Sequence, residues 1–130
     1  MQRWLGRYEE IAYTLMRVVV GALFACHGVQ KVFGVLGGEA VSGMSLHTLG
    51  AWIELVGGLL VMLGLLTGYA AFLASGEMAV GYFMAHAPRG FWPIVNKGEL
   101  AVLYCFVFLY IACRGSGRFG LDRLIGQAPK

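Results

Sequence analysis

The chain has 130 residues, 58% of them hydrophobic and 13% charged, with a net charge of +3 and a mean hydropathy of +0.71. Soluble domains carry about a quarter charged residues, so this deficit excludes an ordinary soluble globule and points to lipid as the solvent. The basic residues are scattered, which excludes a nucleic-acid footprint and makes their surplus information about topology.

A bilayer core takes roughly 20 apolar residues per spanning helix, so the length allows four spans within one domain, 1–130, and no second domain. The opening MQRWLGRYEE predicts an amphipathic lead-in, with Trp4 and Tyr8 at the interface and Arg3 and Arg7 toward headgroups. Glu9, Glu10 and the close CHGVQKVFG argue against a cleaved signal peptide, and the apolar run 11–33 reads as the first span. Gly37-Gly38 and Ser42-Gly43 predict a loop. The second span is expected over 49–66, a tight turn at Thr67-Gly68, and the third span over 69–86. Pro88, Gly90, Pro93 and Asn96 mark a second loop, with Phe91-Trp92 at the interface. The fourth span is expected over 98–113, after which the glycine-rich tail leaves the membrane. The expected fold is therefore an all-α integral membrane four-helix bundle with antiparallel up-down connectivity. Arg3, Arg7, Arg114, Arg118, Arg123 and Lys130 outnumber Lys31, Arg89 and Lys97, which places both termini in the cytoplasm.

Much of the glycine falls within the predicted helices, where it permits close backbone approach. Gly64 and Gly68 match GxxxG, read here as packing within the bundle rather than as a dimer seam, although a homo-oligomer stays open. Cys26, Cys105 and Cys113 form neither a CxxC nor a zinc spacing, so they read as small apolar thiols among helices. Whether Cys26 and Cys105 ever pair is left open.

Against this background two acids stand out, Glu54 and Glu77. A charged side chain at mid-membrane costs about 2.5–3.5 kcal/mol even on lenient insertion scales, so it faces a partner or a wet cavity. Depth counted along each span places His27, Lys31, Glu54, His86 and Glu99 in one outer stratum, with Glu77 just beneath it. The helical period puts Arg17, Gly21, Phe24, Gly28 and Lys31 on one stripe, with His27 on its flank. Glu54, Gly57, Gly58 and Val61 share a face, as do Glu77, Val80, Gly81 and Met84. His86 joins the cluster only if the helix unwinds before Pro88.

Each residue also has a plainer role. Lys31 and Arg89 can snorkel to headgroups, Glu99 suits the first turn of a helix, and Arg17 with Glu77 is a candidate structural ion pair. His27, His86 and a glutamate could ligate a metal, but no HxxxH or ExxH spacing supports one, and no metal is expected.

The chain resembles the DoxX family of small four-helix bacterial membrane proteins. The resemblance rests on Arg17-x-x-x-Gly21, His27-Gly28-x-x-Lys31, Glu54-x-x-Gly57-Gly58, Leu63-Gly64-Leu65-x-Thr67 and Met84-x-His86. It continues through Gly90-Phe91-Trp92, Asn96-x-Gly98-Glu99 and the tail element Leu121-Asp122. It implies a bacterial inner-membrane location and a link to a small subunit of a thiosulfate:quinone oxidoreductase. The chain itself shows no haem pair, flavin motif or redox dithiol, so no covalent cofactor is expected.

The leading reading is a membrane protein of a redox-linked system, with an outward-facing polar pocket for a quinone-like or other small amphiphilic ligand and a partner oxidoreductase. Phe24, Trp52, Phe83 and Tyr104 could flank a ring, while His27, Lys31 and Glu54 bond its oxygens. A second reading is a non-enzymatic assembly factor whose buried charges are structural and whose surface engages another membrane protein. A third is a transporter or proton-conducting element, disfavoured by the small size.

Overall fold

The run from Glu9 to Phe33 contains no proline and carries Gly21 and Gly28 on one side, and it forms an unbroken helix, α1 (Glu9–Phe33). It stops at Gly34, whose left-handed backbone (φ 65°) lets its N–H bond the Gln30 carbonyl. The computed structural model describes residues 1–127, so Lys130 of the terminal charge count lies outside the described residues. Two short helical turns, Gln2–Leu5 and Gly6–Tyr8, precede α1, with the Arg7 guanidinium over the rings of Trp4 and Tyr8.

The second helix, α2 (Leu46–Leu63), starts three residues before the expected 49 because Ser45 caps it. The Ser45 hydroxyl accepts from the Thr48 N–H at 3.3 Å. It ends before the expected 66 because Gly64 turns left-handed (φ 70°). The third, α3, is α-helical over Thr67–Gly81 and widens to a π-turn over Tyr82–His86. The fourth, α4, spans Glu99–Arg114. The remaining boundaries differ from expectation by one or two residues, the ordinary scatter of fraying ends. The described residues are all-helical, with no strand among them. Two stretches, Gln2–Phe33 and Leu46–Leu63, are long and apolar enough to cross a membrane.

Glycine sets the closest contact. A Cβ on Gly21 or Gly28 would overlap the α2 backbone at Met62 or Leu55, and one on Gly58 would overlap Ala25. The stripes expected on α1 and α2 are the ones buried, through Arg17, Gly21, Phe24 and Gly28, and through Glu54, Gly57, Gly58 and Val61. On α3 the expected face fails beyond Glu77. Val80 and Met84 are exposed, because α3 instead buries Ala70, Ala71, Ala74 and Ser75. All four helices feed one core of Tyr13, Phe24, Val61, Ala70, Ala71, Ala74, Tyr104, Phe108 and Ile111. Large apolar side chains such as Leu15, Leu23, Phe72, Phe83 and Phe106 cover the exterior. Cys26 and Cys113 are exposed there too, so they are not packed among helices, and all three cysteines are free thiols.

Gly64-x-x-x-Gly68 is not a helical motif here, since Gly64 ends α2 and Gly68 lies in the first turn of α3. The tail packs back on the end of the bundle. Asp122 returns to the turn between α2 and α3 and accepts the N–H groups of Leu66 at 2.6 Å and Thr67 at 2.9 Å. Its own N–H donates to the Gly64 carbonyl at 2.8 Å. Leu66 sits at φ 48°, a left-handed backbone that a leucine adopts only when its surroundings hold it. Asp122→Ala removes the acceptor of two buried N–H groups, so it should lower stability in detergent by about 1–3 kcal/mol. Arg123→Ala, on the exposed side of the same turn, should change it by less than about 0.5 kcal/mol. Equal melting temperatures for the two variants would show that Asp122 does not hold the turn.

Candidate functional site

Lys31 in the last turn of α1 and Glu54 in α2 meet as an ion pair, Nζ to Oε1 at 2.7 Å. The lysine side chain is 42% exposed and the glutamate side chain 3%, so the ammonium lies at a rim and the carboxylate beneath it. Glu54 reaches this position on a π-turn, Ile53–Gly57, in the middle of α2. The wider turn directs Glu54 and its neighbour Leu55 inward together, and both are buried. Such turns mark functional positions in many helices. The adjoining Gly57-Gly58 pair lowers the resistance of the helix to this distortion.

The pair uses only one oxygen of Glu54. Its Oε2 is buried without a hydrogen-bond partner, and so is Oε2 of Glu77. Glu77 lies against the preceding turn of α2, where a Cβ on Gly50 would stand 3.0 Å from its Oε1. The charges acting on Glu77 are those of Glu54 and Lys31. Three helices therefore bring Lys31, Glu54 and Glu77 together, and one cation faces two carboxylates.

His27, one turn before Lys31, presents its ring edge-on to Tyr104 of α4, with centroids 6.2 Å apart. Tyr104 stacks on Phe108 at 5.7 Å and leans on Phe24 at 5.4 Å, so an aromatic wall adjoins the polar groups. Of the aromatics expected to flank a ring, Phe24 and Tyr104 are buried in the core. Trp52 and Phe83 are exposed on the exterior.

Two expected members of the cluster, His86 and Glu99, lie elsewhere, and the expected Arg17–Glu77 pair does not form. His86 does sit on a distorted turn before Pro88, where proline supplies no N–H to the helix. Its Nδ1 nevertheless bonds the Asn96 carbonyl at 3.0 Å, and its ring stacks on Tyr82. Glu99 is exposed in the first turn of α4, the helix-end role that suits its charge. Arg17 does not pair with Glu77. Its Nη1 donates to the carbonyls of Val61 at 2.6 Å and Met62 at 2.8 Å. A cation is favoured there, because the carbonyls at a helix C-terminus lack partners within the helix. Among the described residues no three His, Cys, Asp or Glu side chains gather in a way that could hold a metal ion.

Two polar devices outside the expected cluster shape its surroundings. Asn96, buried in the second loop, donates to the Gly90 carbonyl at 2.9 Å and to the Tyr82 hydroxyl at 3.0 Å. Its Oδ1 accepts the Gly98 N–H at 2.9 Å. At the far end Arg114 bonds Glu9 at 2.8 Å and also bonds Glu10, while Glu10 accepts the Arg118 N–H at 3.0 Å. Tyr13 donates to the Gly115 carbonyl. A cavity of about 190 Å³ lies at that end, lined by Thr67, Tyr69, Arg114, Ser116 and Asp122 among others. Ten residues of α3 separate Thr67 from Glu77, about 15 Å, so this cavity and the carboxylates are separate places.

The DoxX family profile matches residues 12–87, a stretch that includes Arg17, His27, Lys31, Glu54, Glu77 and His86 and stops before Glu99. An "Uncharacterized protein" of Haemophilus influenzae is 40% identical over 125 residues, covering 91% of this chain and 93% of the relative. A Bacillus subtilis protein described as "Putative oxidoreductase CatD" is 27% identical over 132 residues, covering 97% of this chain and 96% of the relative. No solved structure matches the chain.

Removing one partner of a fully buried ion pair costs about 3–5 kcal/mol, because the other charge stays desolvated. Lys31 is partly exposed, so Lys31→Ala should cost less, about 1–3 kcal/mol, after allowance for screening. Glu54→Ala and Glu77→Ala should also lower the melting temperature in detergent more than Arg89→Ala does. The double variant Lys31→Ala/Glu54→Ala should recover part of the single losses. Negligible losses throughout would mean that the carboxylates are already solvated.

Proposed function

The chain belongs to the DoxX family, and on that footing we propose that it is a multi-pass membrane protein of a redox-linked system. Its carboxylate cluster binds a quinone-like or other small amphiphilic molecule, in company with a partner oxidoreductase. The observation that carries this reading is the pair of buried, unpartnered carboxylate oxygens on Glu54 and Glu77 beside the Lys31 ammonium. A buried acceptor left without a donor costs about 1–3 kcal/mol or more. A ring bearing oxygens requires apolar contacts with a few convergent polar groups, and these oxygens with the neighbouring aromatic side chains would supply both. In this reading His27 and Tyr104 flank the ligand, whereas His86 and Glu99 stand apart from it, as second-loop and helix-end residues. The description of the Bacillus subtilis relative as an oxidoreductase favours the redox link.

In this reading the four helices cross the bacterial inner membrane as an antiparallel bundle forming a single domain. Ascending positions on α1, Gly21 and Gly28, oppose descending positions on α2, Met62 and Leu55. Likewise Gly68 of α3 lies near Ala112 of α4, and Ser75 bonds the Cys105 carbonyl at 2.7 Å. The surplus of basic residues near the termini places both of them in the cytoplasm. The Lys31–Glu54 site then lies in the outer half of the bilayer.

A second reading is a non-enzymatic assembly factor that engages another membrane protein or a second copy of itself. The direct Lys31–Glu54 contact at 2.7 Å favours it, since that contact already satisfies one carboxylate oxygen without any ligand. Ligand binding separates the two readings. Decylubiquinone or its reduced form should raise the melting temperature of the purified protein in detergent by several degrees, and Glu77→Ala should abolish the shift. Failure of both forms to shift the wild-type protein would favour the assembly factor.

Topology has its own test. With the native cysteines replaced, an impermeant thiol reagent added outside the cell should label a cysteine placed at Gly38 or Asn96 and spare one at Ser116. The reverse pattern would overturn the orientation.

A further inference from the structure

Glu54 and Glu77 do more than mark a site, because their free oxygens set the hydrogen-bonding character of whatever enters it. Lys31 Nζ meets Glu54 Oε1 at 2.7 Å as an ion pair, and a carboxylate in such a pair accepts hydrogen bonds without donating any. Oε2 of Glu54 points into the protein on a residue only 2% exposed and has no donor. Oε2 of Glu77 is in the same condition. A group placed before Glu54 Oε2 gains if it donates a hydrogen bond and is repelled if it too is an acceptor.

The two members of a quinone couple differ in this respect. The oxidised ring carries two carbonyl oxygens, which only accept. The reduced ring carries two hydroxyls, which also donate. The apolar substituents and tail are the same in both, so the aromatic wall of Phe24, Tyr104 and Phe108 does not distinguish them. Building on the ligand-site reading above, we infer that the site selects the quinol over the quinone, with one ring hydroxyl donating to Glu54 Oε2. The partly exposed Lys31 at the rim neutralises Glu54 without occupying the oxygen that the ligand needs. Gly50 leaves room for the Glu77 carboxylate, since a Cβ there would stand 3.0 Å from its Oε1.

Selective binding of the reduced form raises the potential of the bound couple. For a two-electron couple, a tenfold preference corresponds to about 30 mV. The inference concerns binding alone and assigns no electron transfer to this chain.

The test titrates the purified full-length protein in detergent, without oxygen, with decylubiquinol, decylubiquinone and the dimethyl ether of decylubiquinol. The ether keeps the ring and tail and lacks the hydroxyl donors. Decylubiquinol should bind about tenfold or more tightly than either of the others, the scale of a charge-assisted hydrogen bond. Glu54→Gln replaces the acceptor with an amide that also donates, so it should remove the preference, with a cooperative melt showing that the variant folds. Equal affinity for quinol and quinone, or for quinol and its ether, would overturn the inference while leaving the ligand site standing. Binding of none of the three would overturn the ligand-site reading and this inference with it.

Discussion

A carboxylate surrounded by apolar side chains must find a counter-charge or hydrogen-bond donors, and this requirement organises the molecule. Three acids meet it in different degrees. Asp122 meets it fully, taking the N–H groups of Leu66 and Thr67. Glu54 meets it by half, with Lys31 on one oxygen and nothing on the other. Glu77 has a buried oxygen with no partner at all. The fully satisfied acid holds a turn, and the incompletely satisfied ones form the proposed site. That contrast within one chain argues against a uniform structural role for its buried acids.

The same contrast separates the two ends of the fold. At the end where the chain begins and α4 finishes, Arg114 is bonded by Glu9 and Glu10, Tyr13 holds Gly115, and Asp122 pins the turn between α2 and α3. Arg17, 1% exposed, caps the last carbonyls of α2 at this end. At the other end the helices carry two π-turns, at Glu54 and ending at His86, and each carboxylate keeps an oxygen without a partner. Close glycine contacts of α1 with α2 join the two regions, so the proposed site is mounted on a rigid helix pair. Rigid mounting matters for a site whose selectivity rests on which oxygen faces which donor.

Much of this was legible in the residues. The 3.6-residue period predicts the buried stripe from Arg17 to Gly28 and the face from Glu54 to Val61, and both are buried. The convergence of Lys31 and Glu54 follows from depth and facing alone. Arg17 was misassigned because its partners are backbone carbonyls at the end of another helix, and a carbonyl leaves no mark in a sequence. The contact of Asp122 with the turn between α2 and α3 left no mark in the sequence, because the surrounding glycines announce only a tail leaving the membrane, although they also let the chain turn back. The face of α3 beyond Glu77 was less legible, because that helix packs through the small residues Ala70, Ala71, Ala74 and Ser75, whose burial gives little contrast in so apolar a span. Neither π-turn is announced by a distinctive residue, although the face from Glu54 to Val61 stays buried across one of them.

In the proposed site the free oxygens of Glu54 and Glu77 belong to a ligand. An experimental structure of the protein extracted from its membrane with native lipids tests this most directly. Density for a bound ring is expected between α1, α2 and α3, with an oxygen within hydrogen-bond distance of Glu54 Oε2. A dry, filled core in which His27, Lys31, Glu54 and Glu77 satisfy one another would contradict it.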